Sequence, residues 1–279
     1  MRTIAVVNRK GGSGKTTTAV SLAAAFAERG ESVLLIDLDP QASASVWLAG
    51  IADDRAVFDA FVGTRELGEL AVPTRVPALQ IVRSSPWLLT AERTLMGDLG
   101  VGVLRAVERL RRNWAFVIID CPPALSYLSV GALMAVREAI VPVEAHAIAL
   151  SGVAAVIDEM ERLRSILNPA LAQPWIVPCR VNRTNHARQV VARLQATYGG
   201  LVTGTSIRES IRFAEAEAAR IPITEYAPDA SASLDYRLLA EELLHRASTE
   251  ARRPQHAAPR WRHPFRRTAR DSASKRGTA

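Results

Sequence analysis

The segment Lys10-Gly11-Gly12-Ser13-Gly14-Lys15-Thr16-Thr17 lies between a short apolar run, Thr3–Val7, and an alanine- and leucine-rich stretch, Thr16–Arg29, that Gly30 closes. A strand, a glycine-rich turn and a helix in that order make a phosphate-binding loop. Glycines let successive backbone N–H groups converge on phosphate oxygens, and the helix N-terminus adds the positive end of its dipole. Such a loop assigns Lys15 to the β- and γ-phosphates and the Thr16 hydroxyl to Mg²⁺, with Gly11, Gly12, Ser13, Gly14 and Thr17 completing the cradle. The strict GxxxxGK[ST] spacing calls for a glycine where this chain has Arg9, so the loop is a variant with Lys10 as an added cation. Lysine is otherwise scarce: Lys10, Lys15 and Lys275 stand against 32 arginines. Two lysines within six residues therefore mark positions that need a compact ammonium.

Beyond the loop, apolar runs at Ser32–Ile36, Leu79–Val82, Phe116–Ile119, Ala139–Val143 and Trp175–Val181 read as strands. Helical stretches at Val101–Arg112, Ser151–Leu167, Ala187–Tyr198 and Leu234–Ala247 alternate with them. Continuous apolar strands separated by helices predict an α/β fold, a mostly parallel twisted sheet with helices on both faces. Trp47, Trp87, Trp114 and Trp175 lie in or beside apolar segments and are expected in the core or an interface. Residues 1–249 read as one α/β domain and 250–279 as an arginine-rich disordered tail.

Acids fall where a nucleotide site needs them. Ile36-Asp37-Leu38-Asp39-Pro40-Gln41 places two carboxylates at the carboxyl edge of the sheet, and Val117-Ile118-Ile119-Asp120-Cys121-Pro122-Pro123 ends another strand in an acid. The second is a Walker-B arrangement in which Asp120 holds magnesium through water. Alternation sends Asp37 and Asp39 to the same side, so that one orients the attacking water and the other supports the metal shell. Thr16, Asp37 and Asp120 are the candidate metal residues. The two cysteines, Cys121 and Cys179, are far apart without CxxC or histidine-rich neighbours, which argues against a disulfide framework and a cysteine metal site.

The sequences KGGSGKTT, DLDPQ and VIIDCPP together resemble the ParA/MinD group of deviant Walker-A P-loop ATPases, and DLDPQ is similar to the ParA/Soj branch. The resemblance covers most of residues 1–246. It continues in Ala139–Gly152, in Arg183-Thr184-Asn185, in Ile211–Ala216, and in Pro222-Ile223 and Tyr236. It implies an ATPase whose cofactors are ATP and Mg²⁺. Lys10 reaches the phosphates bound by the partner subunit across an ATP sandwich homodimer, Lys15 and Thr16 take phosphate and magnesium, and Asp39 positions the hydrolytic water. Lys10, Lys15 and Asp39 are thus the implied catalytic residues. The resemblance further implies that the ATP dimer binds DNA without sequence preference and that a ParB-like partner stimulates slow hydrolysis. The outcome is segregation or positioning of a plasmid, a chromosome region or other cargo. Arg212 matches a family position implicated in DNA binding, and Arg183, Arg188 and Arg193 are expected to join it in a phosphate-facing patch.

Two residues depart from that pattern: Arg208 and Glu217 stand where prolines are usual. Residues 252–279 hold eight arginines and one lysine against Asp271, a net charge of +8, while the rest of the chain is at −1. The tail, with Trp261 and Phe265 among its arginines, is expected to meet a polyanion. The start of the chain reaches glycines before any signal-like apolar stretch, and no run approaches about 20 apolar residues, so a cytoplasmic, nucleoid-associated protein without a stable membrane anchor is expected. The alternative is a MinD-like membrane-associated positioning ATPase, which calls for a carboxy-terminal amphipathic helix with an apolar face that the tail lacks. A metal-cluster carrier needs paired cysteines, a bacterial tyrosine kinase a carboxy-terminal tyrosine cluster, and a small-molecule kinase or ligase leaves Lys10 without a purpose.

Overall fold

The computed structural model describes residues 1–52, 54–110, 113–123, 126–145 and 149–250. The tail from residue 251, with Trp261, Phe265 and Lys275, and the last two residues of the expected helix Val101–Arg112 lie outside the described residues. Met1–Leu243 form one compact unit; the chain from Leu244 is a second, of which residues 244–250 continue the final helix.

In chain order the elements begin β1 (Arg2–Val6), α1 (Lys15–Glu28), β2 (Val33–Asp37), α2 (Ser43–Leu48), α3 (Ala56–Phe61), β3 (Ala71–Pro73), β4 (Leu79–Val82), α4 (Trp87–Leu95) and α5 (Gly97–Glu108). They continue β5 (Phe116–Asp120), α6 (Tyr127–Ala135), β6 (Glu138–Glu144), α7 (Ala149–Ile166), β7 (Trp175–Cys179), α8 (Asn185–Tyr198), α9 (Arg212–Ala218), α10 (Ile223–Tyr226) and α11 (Ser231–Glu250). The sheet order is β3-β4-β2-β5-β1-β6-β7, parallel except that β3 runs antiparallel to β4. Every residue of β2, β5 and β7 is buried, so both faces of the sheet are covered, as their unbroken apolar sequences require.

α1 is buried from Thr18 to Ala27 and packs across β1, β2 and β5, with alanines at 23–25 permitting close approach. Phe26 stacks on Phe116 with ring centroids 4.2 Å apart. Arg2 lies over the Phe116 ring and grips Glu138 of β6 through Nε at 2.8 Å and Nη2 at 2.7 Å, which ties the amino-terminal ends of three neighbouring strands together. Of the tryptophans, Trp47, Trp114 and Trp175 are buried, whereas Trp87 is exposed with the Arg55 guanidinium over its ring.

The register fixes the functional edge. Asp120 lies level with Val6 of β1 on one side and with Asp37 of β2 on the other. The carboxyl ends of three adjacent strands therefore meet the loop that leaves β1 and opens α1.

Candidate functional site

The loop adopts its shape because two of its glycines take left-handed backbone angles, φ 72° at Gly12 and 88° at Gly14. Gly14 is the N-cap of α1 and offers no side-chain oxygen, and the first turn holds no acid. The leading N–H groups of α1 are thus left for an external anion. Asn8 anchors the start of the loop: its Nδ2 donates to the Pro142 carbonyl at 2.7 Å and its Oδ1 accepts from the Lys10 N–H at 3.1 Å. Lys15 is 6% exposed and donates to the Lys10 carbonyl at 3.2 Å. Burial lowers its pKa, while Asp120 and Asp39 oppose the shift. A cavity of about 740 Å³ is lined by Gly12, Thr16 and Thr17, by Asp39, and by residues of the 207–214 segment.

The two acids that share a register differ in what surrounds them. Asp37 is fully buried and accepts three hydrogen bonds: Oδ1 from the Asp39 N–H at 3.1 Å, and Oδ2 from the Ser45 N–H at 2.8 Å and the Ser45 hydroxyl at 2.7 Å. Burial raises its pKa and the Asp39 charge adds to the rise; those hydrogen bonds oppose it, and the group sits at about 6. Asp120 is equally buried, yet neither of its oxygens has a hydrogen-bond partner among the described residues. The Thr16 hydroxyl and Lys15 favour its ionised form, but burial and the charges of Asp37 and Asp39 prevail and hold its pKa well above the usual carboxylate range. An unsatisfied carboxylate beside a threonine hydroxyl at the foot of an anion cradle fits a hard divalent cation, which takes oxygen ligands. Asp39, 8% exposed, lines the cavity and accepts from the Gln41 N–H at 2.9 Å.

Lys10 and Lys15 face different surroundings. Lys10 has a side chain 64% exposed, and its ammonium pairs with Glu144 at the end of β6. Glu144 also accepts from Arg180 at 2.7 Å. Burial alone would raise the Glu144 pKa, but hydrogen bonds and charge from Lys10 and Arg180 outweigh it and hold the carboxyl below its ordinary value.

On the far wall, Arg208 forms a fork with Asp235 of α11. Its backbone N–H donates at 3.0 Å, Nε at 2.8 Å and Nη2 at 2.7 Å, and Asp235 is buried. Where the resemblance leads one to expect a proline, the segment is pinned instead by a bidentate charge-assisted pair. Glu217 also lines this wall. Cys179 lines the cavity, with burial pushing its thiol up to about 12; Cys121, next to Asp120, is pushed well above its usual range for the same reason.

The four arginines expected to form one patch are all exposed. Arg183 follows Val181, whose N–H donates to the Ile207 carbonyl at 3.0 Å, so it lies beside the 207–210 segment. Arg212 opens α9 after the same segment and pairs with Glu215 at 2.8 Å. Arg188 and Arg193 are on α8, five residues and so about 140° apart around the helix. Sequence reading passed over Asn8, Ser45, Ser84, Glu144, Arg180 and Asp235. Only the polar pair Ser84-Ser85, separated by Arg83 from the apolar run of β4 at the carboxyl edge, gave a local signal.

Residues 1–173 match a family model described as an AAA domain. The chromosome-partitioning ATPase Soj of Thermus thermophilus is 40% identical over 248 residues, 88% of this chain and 96% of that one. The chromosome partitioning protein ParA of Caulobacter vibrioides is 35% identical over 254 residues, 88% of this chain and 95% of that one. Among solved structures, cobyrinic acid a,c-diamide synthase from Mycobacterium smegmatis with bound ADP and magnesium superposes with a TM-score of 0.76 at 28% identity, over 92% of this chain and 100% of that one. With its variant phosphate loop at the head of α1, its acid-tipped β2 and β5 and these relatives over nearly nine-tenths of its length, the chain belongs to the ParA/Soj-type partition ATPases of the ParA/MinD deviant Walker-A P-loop family.

Proposed function

We propose that this chain is an ATP-switched homodimer that binds DNA without sequence preference and segregates or positions a plasmid, chromosome region or other cargo on the nucleoid, in the cytoplasm, with a ParB-like partner stimulating hydrolysis. The observation that carries the reading is the division between the two loop lysines. Lys15 is enclosed behind its own cradle, while Lys10 is exposed on the rim against Glu144. A cation held outward beside a phosphate site is placed for phosphates bound by a second copy.

In this reading Gly11 to Thr17 and the N-terminus of α1 hold the phosphates, with Lys15 as the buried countercharge. Thr16 and Asp120 hold Mg²⁺, which neutralises charge on the β- and γ-phosphates. Asp37 shapes the loop that follows β2, and Asp39, at the cavity edge, positions water for attack. ADP and magnesium in the M. smegmatis synthase support this choice of cofactors. Arg183 and Arg212 flank the 207–211 segment and supply phosphate contacts to DNA, joined by Arg188 and Arg193. No described helix is long and apolar enough to cross a membrane. Residues 1–249 form the ATPase domain and the basic tail from 250 adds DNA affinity.

Retention of a random-sequence duplex by the full chain tests this at moderate salt with ATP, ADP or no nucleotide. Strong retention with ATP and weak retention otherwise is expected. Retention that ignores nucleotide, or none at all, overturns the reading.

A further inference from the structure

We propose that Ser45 and Ser84 are positioning residues for Asp39, acting through a closed ring of buried hydrogen bonds; the proposal rests on the reading of Asp39 as the residue that places the hydrolytic water. Asp39 lies beyond the end of β2, in a turn that no ladder holds. Ala42, three residues on, is forced to φ 56°, a left-handed conformation that alanine rarely adopts. Such a turn needs anchoring if one carboxylate in it is to keep its aim.

The ring supplies that anchoring from both ends of the Asp39 backbone. The Asp39 N–H donates to Asp37 Oδ1 at 3.1 Å. On the other side, the Ser84 hydroxyl donates to the Asp39 carbonyl at 2.6 Å. Ser45 closes the circuit: its hydroxyl donates to Asp37 Oδ2 at 2.7 Å and accepts from the Ser84 N–H at 2.8 Å. Asp37, Ser45 and Ser84 are all 0% exposed, so water does not compete for these bonds. The ring ties the end of β2, the first turn of α2 and the segment after β4 into one unit. Asp39 Oδ1 is then fixed by the Gln41 N–H at 2.9 Å, and among the described residues Oδ2 takes no protein partner. One oxygen held and one left open is what orienting a water requires.

Neither serine reaches the cavity, so their contribution is to rate and not to nucleotide contact. Single-turnover hydrolysis, KM for ATP and melting temperature of the full chain are measured for Ser84→Ala, Ser45→Ala and Ser45→Thr, with Asp39→Ala alongside. Ser84→Ala is expected to lower kcat about tenfold with KM and melting temperature near wild type, because a small displacement of a reacting group costs rate steeply. Ser45→Ala is expected to fall likewise, and Ser45→Thr, which keeps the hydroxyl, to recover most of the loss. Ser84→Ala at the wild-type kcat while Asp39→Ala is slow overturns this proposal alone. A Ser84→Ala loss seen in melting temperature and KM as much as in kcat reduces the ring to a structural brace and also overturns it. Asp39→Ala at the wild-type rate removes the reading of Asp39, and the proposal with it.

Discussion

The ends of β2 and β5 are neighbours in register, finish in the same residue type and are equally buried, yet their partners differ. Asp37 collects three hydrogen bonds from Asp39 and Ser45, whereas among the described residues Asp120 has only the Thr16 hydroxyl beside it and no bond of full hydrogen-bond geometry. The difference comes from what the chain does next. After Asp37 it doubles back, bringing the Asp39 and Ser45 amides onto the carboxylate. After Asp120 it leaves through Cys121-Pro122-Pro123, where the prolines have no N–H to offer. A buried carboxyl with so few partners stays protonated or takes an outside one, and the proposed function gives Asp120 the magnesium and Asp37 the scaffold beside it.

The sharpest break in that comparison is Asp120→Asn. The loss of Mg²⁺-dependent ATP hydrolysis is expected to exceed about a hundredfold, a scale typical of removing one preorganised electrostatic partner. In the same variant the melting temperature without nucleotide should stay level or rise, because the cost of burying that carboxyl is gone. A falling melting temperature would show that Asp120 supports the fold after all.

Asp37→Ala should instead cost stability. It strands two buried N–H groups and a hydroxyl, at a cost of about 3 kcal/mol of stability in urea unfolding. Unchanged stability would erase the distinction.

The pH dependence sharpens it further. Both carboxyls have folded-state pKa values raised above the ordinary range, Asp37 to about 6, so between about pH 4 and 6 the folded chain binds more protons than the unfolded one. The Asp37 contribution to stability is therefore present at the acid end and declines as pH rises through about 6, and that of Asp120 declines as pH rises through its own raised value. Compared with Asp120→Asn, the wild type without metal should lose stability as pH rises through the raised Asp120 pKa, and Mg²⁺ should restore it. Parallel stability profiles would contradict the assignment.

The smallest effect is expected at the rim. Glu144→Gln removes the negative charge shared by Lys10 and Arg180, two side chains more than half exposed, and should change stability by no more than about 1 kcal/mol. A larger loss would make this trio part of the scaffold.

The phosphate loop was legible because all it needs is local: glycines at the left-handed positions, a strand before and a helix after. The parallel sheet was legible from the strands buried on both faces. What differs between Asp37 and Asp120 was not, since both end apolar runs and only the later fold decides which acquires partners. Ser84 reaches Asp39 across 45 positions and Glu144 reaches Lys10 across 134, distances at which no spacing rule speaks. β3 was missed because it is a three-residue antiparallel edge ending in Pro73. α6 was missed because Tyr127–Ala135 is apolar on nearly every side and shows no helical stripe.

The central claim is that ATP joins two copies through Lys10. Sedimentation of the full chain with Mg²⁺ and a slowly hydrolysed ATP analogue, with ADP, and without nucleotide, for wild type and Lys10→Ala, tests it most directly. A dimer is expected for wild type with the analogue only, and a monomer for Lys10→Ala that still binds the analogue. A wild-type chain that stays monomeric with the analogue bound, or a Lys10→Ala chain that dimerises as readily as wild type, would contradict it.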